Sequence, residues 1–205
     1  MPPYQQSYIG LFLNIYYYSF LDADIGLIVA VGRQTGTVDN VEVIFTNSSV
    51  GLQLPRAPYK IDNPLSFNYN GSMTLCGGRT KTSYVLESCV TLDYKNAMGV
   101  KNEYLIWRYK SPMPVPILHA AVATIELNGN TYAWVTGGEE TNPARVYLTG
   151  AISKTFIYNL QLDQWQDSVS LSTPLAGHCM IKVSIKPYVI TYALPVFHIL
   201  PYFLI

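Results

Sequence analysis

The chain has 205 residues, of which 49% are hydrophobic and only 13% charged, against roughly 25% charged in an average soluble domain. Thirteen basic and thirteen acidic side chains cancel, and no stretch concentrates Lys or Arg, so a nucleic-acid partner has no electrostatic footprint here. Three cysteines without a CxxC spacing exclude a zinc ribbon and a dense disulfide scaffold.

Seventeen tyrosines, with abundant Val, Ile and Thr, favour pleated, half-buried surfaces. Fourteen glycines and thirteen prolines cut the chain into short elements. The class read from this is all-β.

Residues 1–24 open the chain with an apolar, tyrosine-rich run, Ile9 to Leu21, that no basic residue precedes. It reads as a signal or an anchor, although a secretion signal normally has a positive leading region. Ile25 to Val31 is a continuous apolar strand closed by Gly32, and Val41 to Phe45 is the next strand. Leu54 to Pro58 is a linker. Leu65–Tyr69 and Ser72–Cys76 form a hairpin about Asn70-Gly71, the strongest short hairpin signal. Gly77-Gly78 follows. Val85 to Tyr94 is expected as one strand, Glu103 to Tyr109 carries Trp107, and Ser111 to Pro114 is a stiff linker. A second hairpin, Ala120–Leu127 with Thr131–Thr136, turns about Asn128-Gly129-Asn130 and ends at Gly137-Gly138. Thr155 to Leu160, a short strand with Trp165, and Cys179 to Ile185 complete the region 25–186. Residues 187–205 carry no formal charge, but Pro187, Pro195 and Pro201 interrupt them. They read as an irregular tail or a membrane segment. No capped amphipathic helix is expected between 25 and 185.

The glycine pairs recur with a period. Sixty residues separate Gly77 from Gly137, and 58 separate Trp107 from Trp165. Ile28 to Gly32 is a weaker earlier copy. Repeats of about 40 to 60 residues are supersecondary units that stack on one another.

Strand, Gly-Gly, loop, strand, Trp strand, proline linker and hairpin resembles the kelch repeat over roughly residues 25 to 185. The resemblance implies a partial β-propeller, roughly three four-stranded antiparallel blades. In it Gly32, Gly77, Gly78, Gly137 and Gly138 let backbone turn and approach its neighbour. Trp107 and Trp165 fill the space between blades. The first unit departs from the pattern, with Gly32-Arg33 in place of two glycines and no tryptophan. An arc of three blades leaves edges unpaired, so the chain is expected to be part of something larger or to self-associate.

Chemistry is sparse. His119 and His178 fall at matching repeat places, which implies a shared packing role. Cys179 beside His178 would point to the opposite face of a strand. Cys76 and Cys89 flank the first glycine pair on adjacent strands, close enough to bridge if their Cα atoms fall within about 7 Å. Two small buried hydrophobes is the equal alternative. Asn47 and Asn70 head glycosylation sequons. No cofactor, metal or catalytic group is expected.

The function expected is non-catalytic protein binding on the loops after each glycine pair, with Arg79, Lys81, Tyr84, Glu139, Glu140 and Arg145 as contact residues. A secreted or membrane-tethered recognition fragment is the alternative, and a relic of a kelch-type copper oxidase comes third. Localisation leans to the secretory pathway.

Overall fold

The computed structural model describes residues 16–22, 26–33, 39–44, 51–82, 84–94, 107–141, 148–185 and 188–195. Among them there is no helix, and most of the strand residues lie in three four-stranded antiparallel sheets. Each is a simple meander. The first holds β1 (Tyr16–Asp22), β2 (Gly26–Arg33), β3 (Val41–Ile44) and β4 (Gly51–Leu54). The second holds β5 (Leu65–Tyr69), β6 (Ser72–Cys76), β7 (Cys89–Asp93) and β8 (Arg108–Lys110). A short β9 (Ile117–Leu118) leads into β10 (Ala121–Leu127) and β11 (Asn130–Thr136). Next come β12 (Glu139–Thr141) and β13 (Leu148–Ala151), then β14 (Thr155–Asn159) and β15 (Gln164–Asp167). The third sheet is β10, β11, β14, β15, while β13, β12 and β9 make a small sheet at one end. A hairpin of β16 (His178–Ile185) and β17 (Tyr188–Pro195) follows.

Consecutive sheets touch through their first strands, β1 with β5, β5 with β10 and β10 with β16. Between them lie two cores. Successive residues of a strand face opposite sides, so β6 and β7 supply both. Met73, Leu75, Val90 and Leu92 turn toward the first sheet, where they meet Val41, Leu54, Ala57, Ile61 and Tyr94. Cys76 and Cys89 turn the other way, with Phe67, and meet Ala133, Val135, Phe156 and Tyr158 of the third sheet. Two-sided burial explains why Met73 to Cys76 has no regular polar alternation. Burying a side chain such as Leu75 is worth about 1.5–3 kcal/mol.

Cys76 and Cys89 are directly opposed in the β6–β7 register, their Cα atoms 4.1 Å apart, and are joined by a disulfide. Both are fully buried. Of the two alternatives open in the sequence, the structure takes the bridge.

Tryptophan has the same duty twice. The Trp107 indole N–H donates to the carbonyl of Pro55 (3.2 Å), and that of Trp165 to the carbonyl of Ser111 (2.9 Å). Each acceptor is the residue just after the fourth strand of the preceding sheet. Each ring packs on the core between those same two sheets. Apolar body and polar edge are used together.

A quieter mark recurs three times. The amides of Ala57, Met113 and Leu171 donate at 2.8 Å to the carbonyls of Asp39, Glu87 and Ser153. In every case the acceptor lies two residues before the third strand, and the donor lies in the segment leaving the fourth. The first sheet thus shares the main-chain pattern although it lacks the tryptophan.

Several expectations shift. Gly32 lies inside β2, paired with Tyr17 beside a β-bulge, and does not close the strand. Val85 makes an isolated bridge to Arg79, Leu86 to Ser88 are loop, and β7 starts only at Cys89. Part of the apolar N-terminal run, Tyr16–Asp22, is strand β1, and Tyr188–Pro195 of the uncharged tail is β17. No helix among the described residues is long and apolar enough to cross a membrane. Asn47 and Arg145 lie outside the described residues.

Candidate functional site

The two glycine pairs stand at one end of the second and third sheets, and their geometry explains the residue type. Gly77, Gly78, Gly137 and Gly138 all have positive φ, at 69°, 85°, 59° and 97°, where a Cβ is disfavoured. Each also lies against passing backbone. A Cβ on Gly78 would stand 2.9 Å from the Asp62 carbonyl oxygen, and one on Gly138 would stand 2.6 Å from that of Leu118. Those carbonyls belong to the segments leading into their own sheets. On Gly137 a Cβ would come within 2.3 Å of the Leu175 carbonyl oxygen, and on Gly77 within 2.6 Å of the Met113 Cε. Those groups lie on the way into the next unit. One glycine clears each passage.

The loops that follow are fastened to the lead-in segments. In the second sheet, backbone bonds join Asp62 and Arg79 in both directions (2.9 and 2.8 Å), and the guanidinium forks onto the Asp62 carboxylate at 3.3 and 3.4 Å. Asp62 is buried. A two-pronged contact of this kind fixes geometry as well as charge. Beside the third sheet, in the small sheet, β12 pairs with β9, and His119 Nδ1 lies 2.6 Å from Glu139 Oε2. The polarity is reversed, since the cation is now on the lead-in and the anion on the loop. The His119–Glu139 contact is an ion pair only when the imidazole is protonated. Glu140 meets Lys154 Nζ with both oxygens at 3.0 Å, near the surface.

Of the expected contact residues, Arg79, Glu139 and Glu140 are therefore engaged within the protein. Lys81 is exposed, and Tyr84 is 41% exposed at the far side of a tight turn closed by Thr80 N to Tyr84 O (2.9 Å). These two remain outward-facing.

The histidines are not equivalent. His119 has φ +54°, matched by Asn63 (+52°) in the second sheet and Gly177 (+62°) before β16. Its counterpart is Gly177, and the Gly177 amide donates to the His119 carbonyl. His178 is one place further on, buried, with Nε2 3.0 Å from Thr136 Oγ1. Burial alone pushes its imidazole below the ordinary value. The expected shared packing role gives way to a partly exposed contact with Glu139 for His119 and a buried seam for His178.

Sequence reading missed the strongest polar knot. Asp163, in the β14–β15 turn, accepts from the Ser111 amide (2.9 Å) and from the Tyr158 hydroxyl (2.5 Å), and its carbonyl accepts from Ser111 Oγ (2.6 Å). Desolvation works against ionisation there. The Tyr158 and Ser111 bonds and the nearby Lys110 outweigh it, and hold the carboxyl below the usual range. For Tyr158, burial comes first and the Asp163 contact second, and both raise its pKa well above the ordinary value. A lone Asp in a Leu-Asp-Gln turn gives no signal of such a role. Among the described residues no three His, Cys, Asp or Glu side chains converge to hold a metal.

No family model matches the chain, and no curated protein does. Among solved structures it is similar to that of YjhT, with a TM-score of 0.56 at 14% identity. The match covers 76% of this chain and 48% of that one, so the chain spans about half the length of YjhT. At such identity the likeness speaks for fold alone.

Proposed function

We propose that this chain is part of a kelch-type β-propeller, and that it is a non-catalytic module binding another protein on the glycine-pair end of its sheets. One observation carries the reading: both loops after the glycine pairs are fastened at their bases to the lead-in segments by polar side-chain contacts, an Arg79–Asp62 ion pair and a Glu139–His119 contact. A rigid base below an outward loop is how scaffolded recognition surfaces are built. The meander sheets touching through their first strands, and the thrice-repeated main-chain bond, support the propeller part of the reading. Lys81 and Tyr84 are the contact residues, while Arg79, Glu139 and Glu140 shape the loops. A further expectation is self-association, because an arc leaves sheet edges to be covered.

The test separates presentation from support. Lys81→Glu and Tyr84→Ala should abolish recovery of a partner that the unaltered chain binds, with thermal unfolding unchanged. Arg79→Ala should lower the unfolding temperature. Loss of stability at Lys81 or Tyr84, without loss of binding, sinks the assignment.

The Cys76–Cys89 bridge favours a second reading, a secreted or membrane-tethered recognition fragment, since disulfides persist chiefly in oxidising compartments. Mass measurement of the chain from its native source, with and without reductant, decides whether the bridge exists there.

A further inference from the structure

The second and third sheets open with the same hairpin. β5 turns into β6 through Asn70-Gly71, and β10 into β11 through Asn128-Gly129. All four residues have positive φ, at 47°, 78°, 51° and 77°, the double left-handed turn that Asn-Gly favours. Asn70 and Asn128 are both exposed. The sequences part at the next residue, Ser72 in one and Asn130 in the other. Only the first turn is therefore an Asn-x-Ser acceptor.

We propose that Asn70 carries an N-linked glycan, held at the tip of the β5–β6 hairpin. The step is a transfer from a lipid-pyrophosphate-linked oligosaccharide. The Asn70 Nδ2 bonds to the anomeric carbon, the bond from that carbon to the phosphate oxygen breaks, and the lipid pyrophosphate leaves with the electron pair. One amide proton is lost to the transferase. Two further observations carry the inference. The same sheet holds a buried disulfide, Cys76–Cys89, which belongs to an oxidising compartment of the kind where this transfer occurs. The tip is also exposed and tethered beside its base. Tyr69, next to Asn70, accepts a hydrogen bond at its hydroxyl from the Gln161 amide (3.3 Å) on the third sheet, so a sugar attached there projects into solvent.

The position also matters for binding. β6 runs from Ser72 at the tip to Cys76 beside Gly77, so hairpin tips and glycine pairs stand at opposite ends of the sheet. A glycan on Asn70 leaves the Lys81 and Tyr84 surface uncovered. The inference stands whether or not that surface binds a protein.

The experiment expresses the full chain behind a secretion leader in mammalian cells, with Asn47→Gln throughout to remove the other sequon. Secreted and cell-retained protein are both digested with a peptide N-glycosidase. One amidase-sensitive step in mobility is expected, with Asn70 converted to Asp in the peptide mass spectrum. Ser72→Ala should abolish the step while leaving the Asn-Gly turn in place. Asn130→Ser should add a second step, because its tip has the same backbone. An unmodified Asn70 in both fractions overturns the proposal, and so does a step that survives Ser72→Ala.

Discussion

Gly137→Ala and Gly129→Ala should differ sharply although the two glycines share a backbone conformation. Gly129, at φ +77° in the β10–β11 turn, has nothing within 4 Å of where a Cβ would stand. Alanine there meets only the left-handed penalty, about 1–2 kcal/mol. Gly137, at φ +59°, has the Leu175 carbonyl oxygen at 2.3 Å and His178 Cε1 at 2.9 Å. A methyl group must push the entry to β16 aside, which strains the Gly138 N to Leu175 O bond of 2.7 Å. Overpacking of that kind adds about 1–3 kcal/mol. The expected total is about 2–5 kcal/mol for Gly137→Ala, roughly 2 more than for Gly129→Ala. Urea unfolding followed by tryptophan fluorescence reads both. Equal losses would mean that Gly137 is needed only for its φ, and the account of glycine pairs as clearances for the neighbouring unit would fail.

Three further outcomes follow from the same geometry. Cys76→Ala with Cys89→Ala removes a link between residues 13 apart, and should cost about 3 kcal/mol by loop entropy; an unchanged denaturation midpoint would show that the bridge adds nothing. Thr136 and Thr155 face each other just before the second glycine pair, and Gly137 N bonds Lys154 O as Gly77 N bonds Ser88 O. Thr136→Cys with Thr155→Cys should therefore form a second bridge, read as a mass difference on reduction; two free thiols in the oxidised protein would refute the equivalence. His178 is held neutral by burial, so its folded value lies below its unfolded one. Its stabilising contribution is present above about pH 6.5 and is lost as pH falls, because the unfolded chain binds the extra proton. On β12, which follows Gly137-Gly138, Glu139 contacts His119 and Glu140 contacts Lys154. His178→Gln should flatten the pH dependence of unfolding between pH 7 and 5 (about the span around an unperturbed imidazole); an unaltered slope would place the titration elsewhere.

Much of the framework was legible because single residue types mark it. Asn-Gly between alternating runs gave both hairpins with nearly the observed ends, and the glycine pairs and tryptophans gave a period that the cross-sheet contacts explain. The rest lacked a local signal. Tyr16–Asp22 is strand β1, yet a charge-free apolar run looks the same in a leader as in a strand. β12 is Glu139-Glu140-Thr141, three polar residues whose pairing with β9 is set by the backbone and not by any hydrophobic pattern. The Asp62–Arg79 fork joins positions 17 apart, and no spacing rule anticipates it. Choosing Arg79 and Glu139 as contact residues from charge alone overlooked that a charge beside a lead-in strand finds its partner at home.

The second sheet has a four-stranded neighbour on either side, and its central strands β6 and β7 lend side chains to both cores. Opening either gap leaves the other closed over the residues that face it, Met73, Leu75, Val90 and Leu92 on one side and Cys76 and Cys89 on the other. The amides of Met73 to Cys76 and Val90 to Leu92 should accordingly be the last to exchange with deuterium, and fraying should travel inward from the two flanks. On that expectation the bridge between Cys76 and Cys89 marks the slowest-breathing point among the described residues, the keel about which the outer units come and go.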